Sequence, residues 1–291
     1  MITFNRRFCK KFTHLVFYLG MIVMYPSMLI AQDSEPDFDV ALEKTAQLIV
    51  MLKADYDGVD EFGAGIIFGR QKDRLLIATA YHILHRGASK SGRIFISLKA
   101  LPDKFLEATL LKHSDDGGSD LAVIQVNNLA TQGFNVCSLS FDRLGNVADL
   151  KRRDSVYPVG NPNGVPWAIP PEADKVSQIN GNSIVFQSAF ISSGHSGGGL
   201  LDKNATLVGM TIADQPPFGR VISIDAVLKQ VKLWGYPVQL GSVLPEGIKP
   251  LHAAAEKGDS NAIKNLLEIC GGNVNATDSH SATPLHYAAH N

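Results

Sequence analysis

The chain has 291 residues, 45% hydrophobic and 19% charged, with three cysteines and a formal net charge of −1. That length allows one or two domains with a sizeable buried core. Apolar residues are too plentiful for a disordered chain and charges too sparse for a coiled coil. Three cysteines cannot build a disulfide scaffold, and a near-neutral balance argues against a basic surface, so no nucleic-acid partner is expected.

The charge averages two unlike regions. Residues 1–32 carry Arg6, Arg7, Lys10 and Lys11 and no acid, which leaves 23 basic against 28 acidic residues in the remainder. The basic stretch precedes an apolar run from Leu15 to about Tyr25, Pro26 breaks any helix there, and Ala31 offers a small residue for cleavage. This is the order of a signal peptide, assigned to residues 1–31. The run from Leu15 to Ala31 is 17 residues, at the short limit for a membrane span, so an uncleaved anchor is the alternative and the only route to membrane contact. Either way the rest of the chain is expected to be exported, periplasmic or secreted. Cys9 would leave with the signal, and Cys137 and Cys270 read as two separate thiols, buried or free, the alternative being a disulfide between them for which the sequence holds no supporting pattern.

From residue 45 onward, short apolar runs alternate with segments rich in Gly, Asp, Lys and Ser. The pattern predicts strands at 47–52, 63–68, 75–80, 93–98, 107–112 and 121–126, enough to close an antiparallel barrel. A second group is predicted at 155–159, 178–180, 183–187, 199–201, 207–213 and 220–224. The expected fold is therefore mostly β, two consecutive antiparallel barrels within a domain of residues 32–235. A closing helix is predicted over 226–234, capped by Asp225 and ended by Gly235 and Pro237.

Residues 236–248 read as a linker, and the pattern changes beyond it. Pro250-Leu251-His252-Ala253-Ala254-Ala255 recurs 34 residues later as Pro284-Leu285-His286-Tyr287-Ala288-Ala289. Residues 249–291 thus resemble ankyrin repeats, whose turn-and-helix opening has this form at nearly this period. Ser281 stands where a turn glycine is usual, and the second copy is truncated inside its first helix. So little solenoid cannot bury its own face, so the segment is expected to pack on the barrels, pair with another chain or belong to a longer array.

Three segments carry residues with chemical potential. Ala78-Thr79-Ala80-Tyr81-His82 ends a strand in a histidine, Asp120-Leu121-Ala122-Val123-Ile124 opens one with an aspartate, and Gly194-His195-Ser196-Gly197-Gly198 sets a serine among glycines. A serine hydroxyl needs an adjacent imidazole to take its proton. The imidazole needs a carboxylate to fix its tautomer and stabilise its cation. Glycines let the backbone turn so that the amides of Gly194 and Ser196 converge on one point, where they can stabilise an oxyanion.

These segments resemble the chymotrypsin-like serine proteases, and within them the bacterial HtrA/Deg branch. Gly63-Ala64-Gly65-Ile66-Ile67 and Val159-Gly160-Asn161-Pro162-Asn163-Gly164 add to the likeness, which covers about residues 45–230. The resemblance implies a double barrel with the active site between the barrels. It implies His82 as general base, Asp120 as its orienter, Ser196 as nucleophile, and the Gly194 and Ser196 amides as oxyanion hole. The implied activity is hydrolysis of peptide bonds by a serine endopeptidase through an acyl-enzyme.

The departures matter too. His195 replaces the usual Asn or Asp before the serine, so activation by pairing with a newly cut N-terminus is not expected. Ankyrin sequence stands where a PDZ domain often follows in HtrA proteases. The substrate pocket is expected to be lined from Phe190 to Ser193 and from Met210 to Ala213, with Phe190, Ser193, Thr211 and Ile212 as contact residues and a small or apolar P1 preference. His82 and His85 lack the partners of a metal site, and no phosphate loop or dinucleotide fingerprint is present, so neither metal nor cofactor is expected. The expected partners are a protein or peptide substrate and a protein bound through the ankyrin segment. The competing reading is a catalytically inactive protease-fold scaffold that captures a partner through residues 250–291.

Overall fold

The computed structural model describes residues 38–241, apart from 72, 87–88, 91 and 115–118, together with 250–268 and 273–290. The expected signal peptide lies outside the described residues.

The described residues open with a helix that the strand pattern does not announce, α1 (Phe38–Ala46). It buries only the small side chains Ala41, Thr45 and Ala46. Thr45 Oγ1 donates to Ala205 O at 2.5 Å, and Arg143 reaches both Thr45 Oγ1 and Asn204 O, at 3.2 and 2.8 Å. The helix is therefore fastened by polar contacts to a turn more than 150 residues away in sequence.

The first barrel is built from β1 (Ile49–Tyr56), β2 (Val59–Gln71), β3 (Arg74–Ala80), β6 (Arg93–Leu98), β7 (Leu101–His113) and β8 (Leu121–Val126). A two-residue ladder, β4 (His85–Arg86) with β5 (Ser89–Lys90), sits between β3 and β6 in sequence. The barrel closes in the order β1-β2-β3-β8-β7-β6, every pair antiparallel. Its core holds Val50, Leu52, Ile67, Ile77, Ile96 and Ile124, all buried and placed on one face by the strand register. Each such side chain contributes about 1.5–3 kcal/mol by leaving water. β3 is buried along nearly its whole length, which is why its sequence, Leu75-Leu76-Ile77-Ala78, is continuously apolar rather than alternating.

The second barrel uses β9 (Ser155–Val159), β10 (Asp174–Asn180), β11 (Ser183–Gln187), β12 (Gly199–Asp202), β13 (Leu207–Gln215) and β14 (Phe218–Ser223), closed in the order β10-β11-β14-β13-β12-β9. Val156, Val176, Ile184, Phe186, Leu200, Val208 and Val221 fill it. The barrels are tied across their junction by Trp167, whose Nε1–H donates to Ile49 O at 2.7 Å.

β14 runs directly into α2 (Ile224–Leu233), and the cap is Ser223, not Asp225. Ser223 Oγ accepts the Ala226 N–H at 3.3 Å. Because the strand ends at the cap, the helix starts two residues earlier than expected and buries Ile224, Val227 and Val231 at helical spacing. Of the segment expected to be a linker, residues 236–241 are docked on the first barrel. The Gln239 and Leu240 amides donate to Phe68 O, and Gly241 N–H donates to Phe141 O. Nearby, burial lowers the pKa of Arg70, whose guanidinium reaches Val136 O at 2.8 Å. Cys137 is disulfide-bonded, with its partner outside the described residues, so the expectation of a lone thiol there is corrected.

The C-terminal segment forms α3 (Pro250–Glu256), α4 (Ser260–Glu268) and α5 (Pro284–Ala288). The repeated Pro-Leu-His has a local logic. Pro284 opens its helix where a missing N–H costs nothing, and His286 Nδ1 accepts the Thr283 N–H at 3.0 Å. The equivalent His252 is fully buried, reaches Ala282 O through Nε2 at 3.0 Å and meets the Tyr287 ring edge-on. Ser281, the residue in the glycine position, has φ +63°, the left-handed conformation that explains why glycine is usual there.

Candidate active site

β3 delivers His82 on a short 3-10 turn, Tyr81–Ile83. Tyr56 braces the turn by donating its hydroxyl to Ile83 O at 2.7 Å. β8 begins one residue after Asp120, whose φ of +41° is left-handed, a conformation that aspartate tolerates better than most residues. Three bonds hold Asp120 there. Tyr81 N–H donates to its carbonyl at 3.0 Å, His82 N–H to Oδ1 at 2.8 Å, and His82 Nδ1 lies 2.5 Å from Oδ2. β3 and β8 are direct neighbours, with Ala80 opposite Leu121, so sheet register brings the two side chains together across 38 residues of sequence. The Asp120 side chain is 26% exposed, not buried, and that of His82 is 43% exposed. The Tyr81 ring stacks on His113 at 4.1 Å, which further couples the two turns.

The second barrel supplies the serine loop. Ser196 O accepts the Ala64 N–H at 2.8 Å, and Thr79 Oγ1 donates to Ala64 O at 2.7 Å. A Cβ on Gly63 would touch Ser196 O at 3.2 Å and Ile83 Cδ1 at 2.4 Å. The serine backbone thus lies against the same strand that packs on the His82 turn, so the fold gathers His82, Asp120 and Ser196 at the junction of the barrels. Ser196 and His195 are both almost fully buried.

The backbone of this loop is fixed by its carbonyls. Ser193 O accepts the Asn163 N–H at 3.0 Å, and His195 O accepts the Gly198 N–H at 2.9 Å. In a trans peptide the C=O and N–H point in opposite directions, so these bonds turn the Gly194 and Ser196 amides the other way. Gly194 has φ +105°, and a Cβ there would lie 2.0 Å from Asn161 O. Only glycine meets both demands. The His195 ring holds the approach to this turn, with Nδ1 3.2 Å from Ser192 N and 3.0 Å from Ser192 O.

The residues expected to contact substrate are less uniform. Phe190 and Ser193 are exposed, and Ile212 is half-buried at a break in the β13–β14 register. Thr211 is fully buried, so its side chain lines no open pocket, contrary to expectation. Its backbone instead ties the serine loop to β13, accepting Gly197 N–H at 2.7 Å and donating to Gly198 O at 2.8 Å. Asp174, the first residue of β10, is nearly buried and stands outside the expected site residues; its alternation with buried Val176 is the only sign of it in the sequence. Among the described residues no group of three or more His, Cys, Asp or Glu is placed to hold a metal ion.

Two antiparallel six-stranded barrels with a histidine–carboxylate pair at their junction define the architecture of trypsin-like peptidases. The trypsin-like peptidase domain matches residues 63–210, just over half of the chain, and the chain belongs to that family. Residues 224–291 match ankyrin repeats, three copies, a match that begins at α2. Among solved structures the chain is similar to the serine endoprotease from Yersinia pestis, at 19% identity and a TM-score of 0.52. It is also similar to the HtrA-type protease AlgW with a tripeptide, at 20% identity and 0.52, and with a decapeptide, at 18% and 0.52. The matches cover 68%, 68% and 67% of this chain and 66%, 63% and 66% of those chains, so the chain spans slightly less than two thirds of their length. The likeness is one of fold. No curated protein matches the chain.

Proposed function

We propose that the chain is a serine endopeptidase that hydrolyses peptide bonds through an acyl-enzyme. The observation that carries the reading is the His82–Asp120 pair, bonded through Nδ1 and Oδ2, at the junction where the Ser196 backbone is held against Ala64. With Nδ1–H committed to Asp120, Nε2 of His82 is the basic nitrogen. It takes the Ser196 hydroxyl proton as Oγ attacks the scissile carbonyl, and the carbonyl oxygen becomes an oxyanion. The Gly194 and Ser196 amides, turned by the bonds at Ser193 O and His195 O, are the donors to that oxyanion. Each such donor typically contributes about 10²–10³ in rate. The His82 imidazolium, stabilised by the Asp120 carboxylate, then gives its proton to the departing amine. Water repeats the cycle in reverse to release the acid and restore the Ser196 hydroxyl.

On this reading the chain acts outside the cytoplasm, as its basic-then-apolar N-terminus supports, and the ankyrin segment engages a protein that is substrate or regulator. The test is cleavage of casein by the wild-type chain, by Ser196→Ala and by His82→Ala. Wild-type cleavage with loss in both variants supports the reading. A wild-type chain that leaves casein and a peptide library intact, yet retains a partner through residues 250–291, favours the inactive scaffold instead. Comparing the full chain with one shortened to residues 1–245 reports whether the ankyrin segment selects substrate.

A further inference from the structure

The first residue of β10 is an aspartate that is only 7% exposed. Antiparallel register pairs Lys175 with Gln187 and Val176 with Phe186. Continued one step, it sets Asp174 across from Ser188, on the face that Val176 and Phe186 turn into the core of the second barrel. Ser188 is 2% exposed. Burial raises the pKa of the Asp174 carboxyl, and a hydrogen bond from the Ser188 side chain works against that rise. Oδ2 of Asp174 has no partner among the described residues. The barrel core therefore ends at this point in a polar pair rather than an apolar plug.

Ser188 is occupied on its other sides as well. Its Oγ accepts the Phe190 N–H at 3.1 Å and the Ile191 N–H at 3.0 Å, and its own N–H donates to Pro217 O at 2.9 Å. A hydroxyl has one hydrogen and two lone pairs. With both lone pairs given to amides, the hydrogen needs an acceptor on the core side, and Asp174 is the group there. The segment that follows, Ser188 to Ser193, leads to the Gly194 turn, where Ser193 O is bonded to Asn163 N–H. The loop is thus pinned at both ends, by Ser188 at its root and by Asn163 at its tip.

We infer that Asp174 is a positioning residue that, acting through Ser188, sets the substrate-facing loop ahead of Ser196 and so sharpens discrimination at P1. The kinetic part of this inference rests on the peptidase reading; the structural part does not. An aspartate fits the position because it offers an acceptor and donates nothing. An apolar side chain would leave the Ser188 hydroxyl to compete with its own amide partners.

The experiment uses the full chain with Asp174→Asn, Asp174→Ala, Ser188→Ala and Ser188→Thr, and two readouts. The first is hydrogen exchange at the Phe190 and Ile191 amides. Ser188→Ala and Asp174→Ala are expected to lose about tenfold in protection, the scale of one lost hydrogen bond, while Ser188→Thr keeps its hydroxyl and restores it. The second is kcat/KM on succinyl-Ala-Ala-Pro-Xaa p-nitroanilides that differ only at P1. The ratio between the best and worst P1 residue is expected to narrow about tenfold in Ser188→Ala and to recover in Ser188→Thr, a change that general destabilisation does not produce. Asp174→Asn, the variant most apt to fold, is expected to lose less than Asp174→Ala in both readouts. Wild-type protection at both amides in every Asp174 variant that folds would overturn the inference, and so would an unchanged P1 ratio in Ser188→Ala. If the wild-type chain cleaves none of the peptides, the peptidase reading fails, and the exchange data still decide whether Asp174 positions the loop.

Discussion

Gly197 lies where the two barrels touch, and replacing it with alanine should damage both stability and activity. Its φ is +80°, and a Cβ there would lie 2.1 Å from Ala64 O and 2.5 Å from Thr79 Oγ1, against an ordinary contact of 3.4 Å or more. The methyl group needs more than 1 Å of displacement. Ala64 O is held by the Thr79 hydroxyl at 2.7 Å, and Ala64 N–H holds Ser196 O at 2.8 Å. The left-handed backbone costs alanine about 1–2 kcal/mol, overpacking about 1–3 kcal/mol, and loss of the Thr79–Ala64 bond about 1 kcal/mol. The sum of about 3–6 kcal/mol is a large share of the roughly 5–15 kcal/mol that holds a domain folded, and corresponds to a fall in Tm of about 6–24 °C. Moving Ser196 by about 1 Å relative to His82 should also slow serine-directed labelling about 100-fold. Gly133→Ala is the control, because Gly133 has φ +81° with nothing within 4 Å of a Cβ, so it carries the backbone cost alone. Calorimetry and labelling kinetics on the two variants check the argument. Equal Tm losses in both, or wild-type labelling in Gly197→Ala, would refute it.

Two further outcomes follow from the helical parts. The Asp278 pKa is lowered to about 2, chiefly by the hydrogen bond from the Tyr287 hydroxyl. The stability it lends the repeat is therefore present above the ordinary carboxyl pKa of about 3.9 and disappears as pH falls through about 2. In Tyr287→Phe the titration followed by NMR should move back up toward the ordinary value. At the other junction, Ser223→Ala removes the acceptor of the Ala226 N–H and should cost about 1 kcal/mol in denaturant unfolding, whereas Asp225→Ala should cost less because Asp225 is not the cap.

The barrels were legible where apolar runs coincide with strands. Arg93–Leu98, Leu121–Val126, Ser155–Val159 and Ser183–Gln187 have the bounds that their sequences predict. The long strands were underestimated. β2 starts at Val59 and β7 at Leu101, because at these ends the apolar Val59 and Phe105 stand exposed beside Asp60, Glu61, Asp103 and Lys104, so the segments do not read as buried strand. The first half of β10 shows a single apolar residue, Val176, between polar ones, which is why Asp174 escaped a strand reading although both are buried. Residues 236–241 dock through backbone amides on Phe68 O and Phe141 O, contacts to which side-chain patterns are blind. At the candidate site, the neighbourhood of His82 and Asp120 was legible because each residue ends a strand of an adjacent pair. The burial of Thr211 was not, since strand alternation at the β13 irregularity depends on a bulge that no residue type announces.

The most direct measurement is fluorophosphonate labelling of the full chain, with the modified residue mapped by mass spectrometry. One label per chain is expected, on Ser196, lost in Ser196→Ala and strongly slowed in His82→Ala. A label that persists in Ser196→Ala, or a folded wild-type chain that takes none, would contradict it.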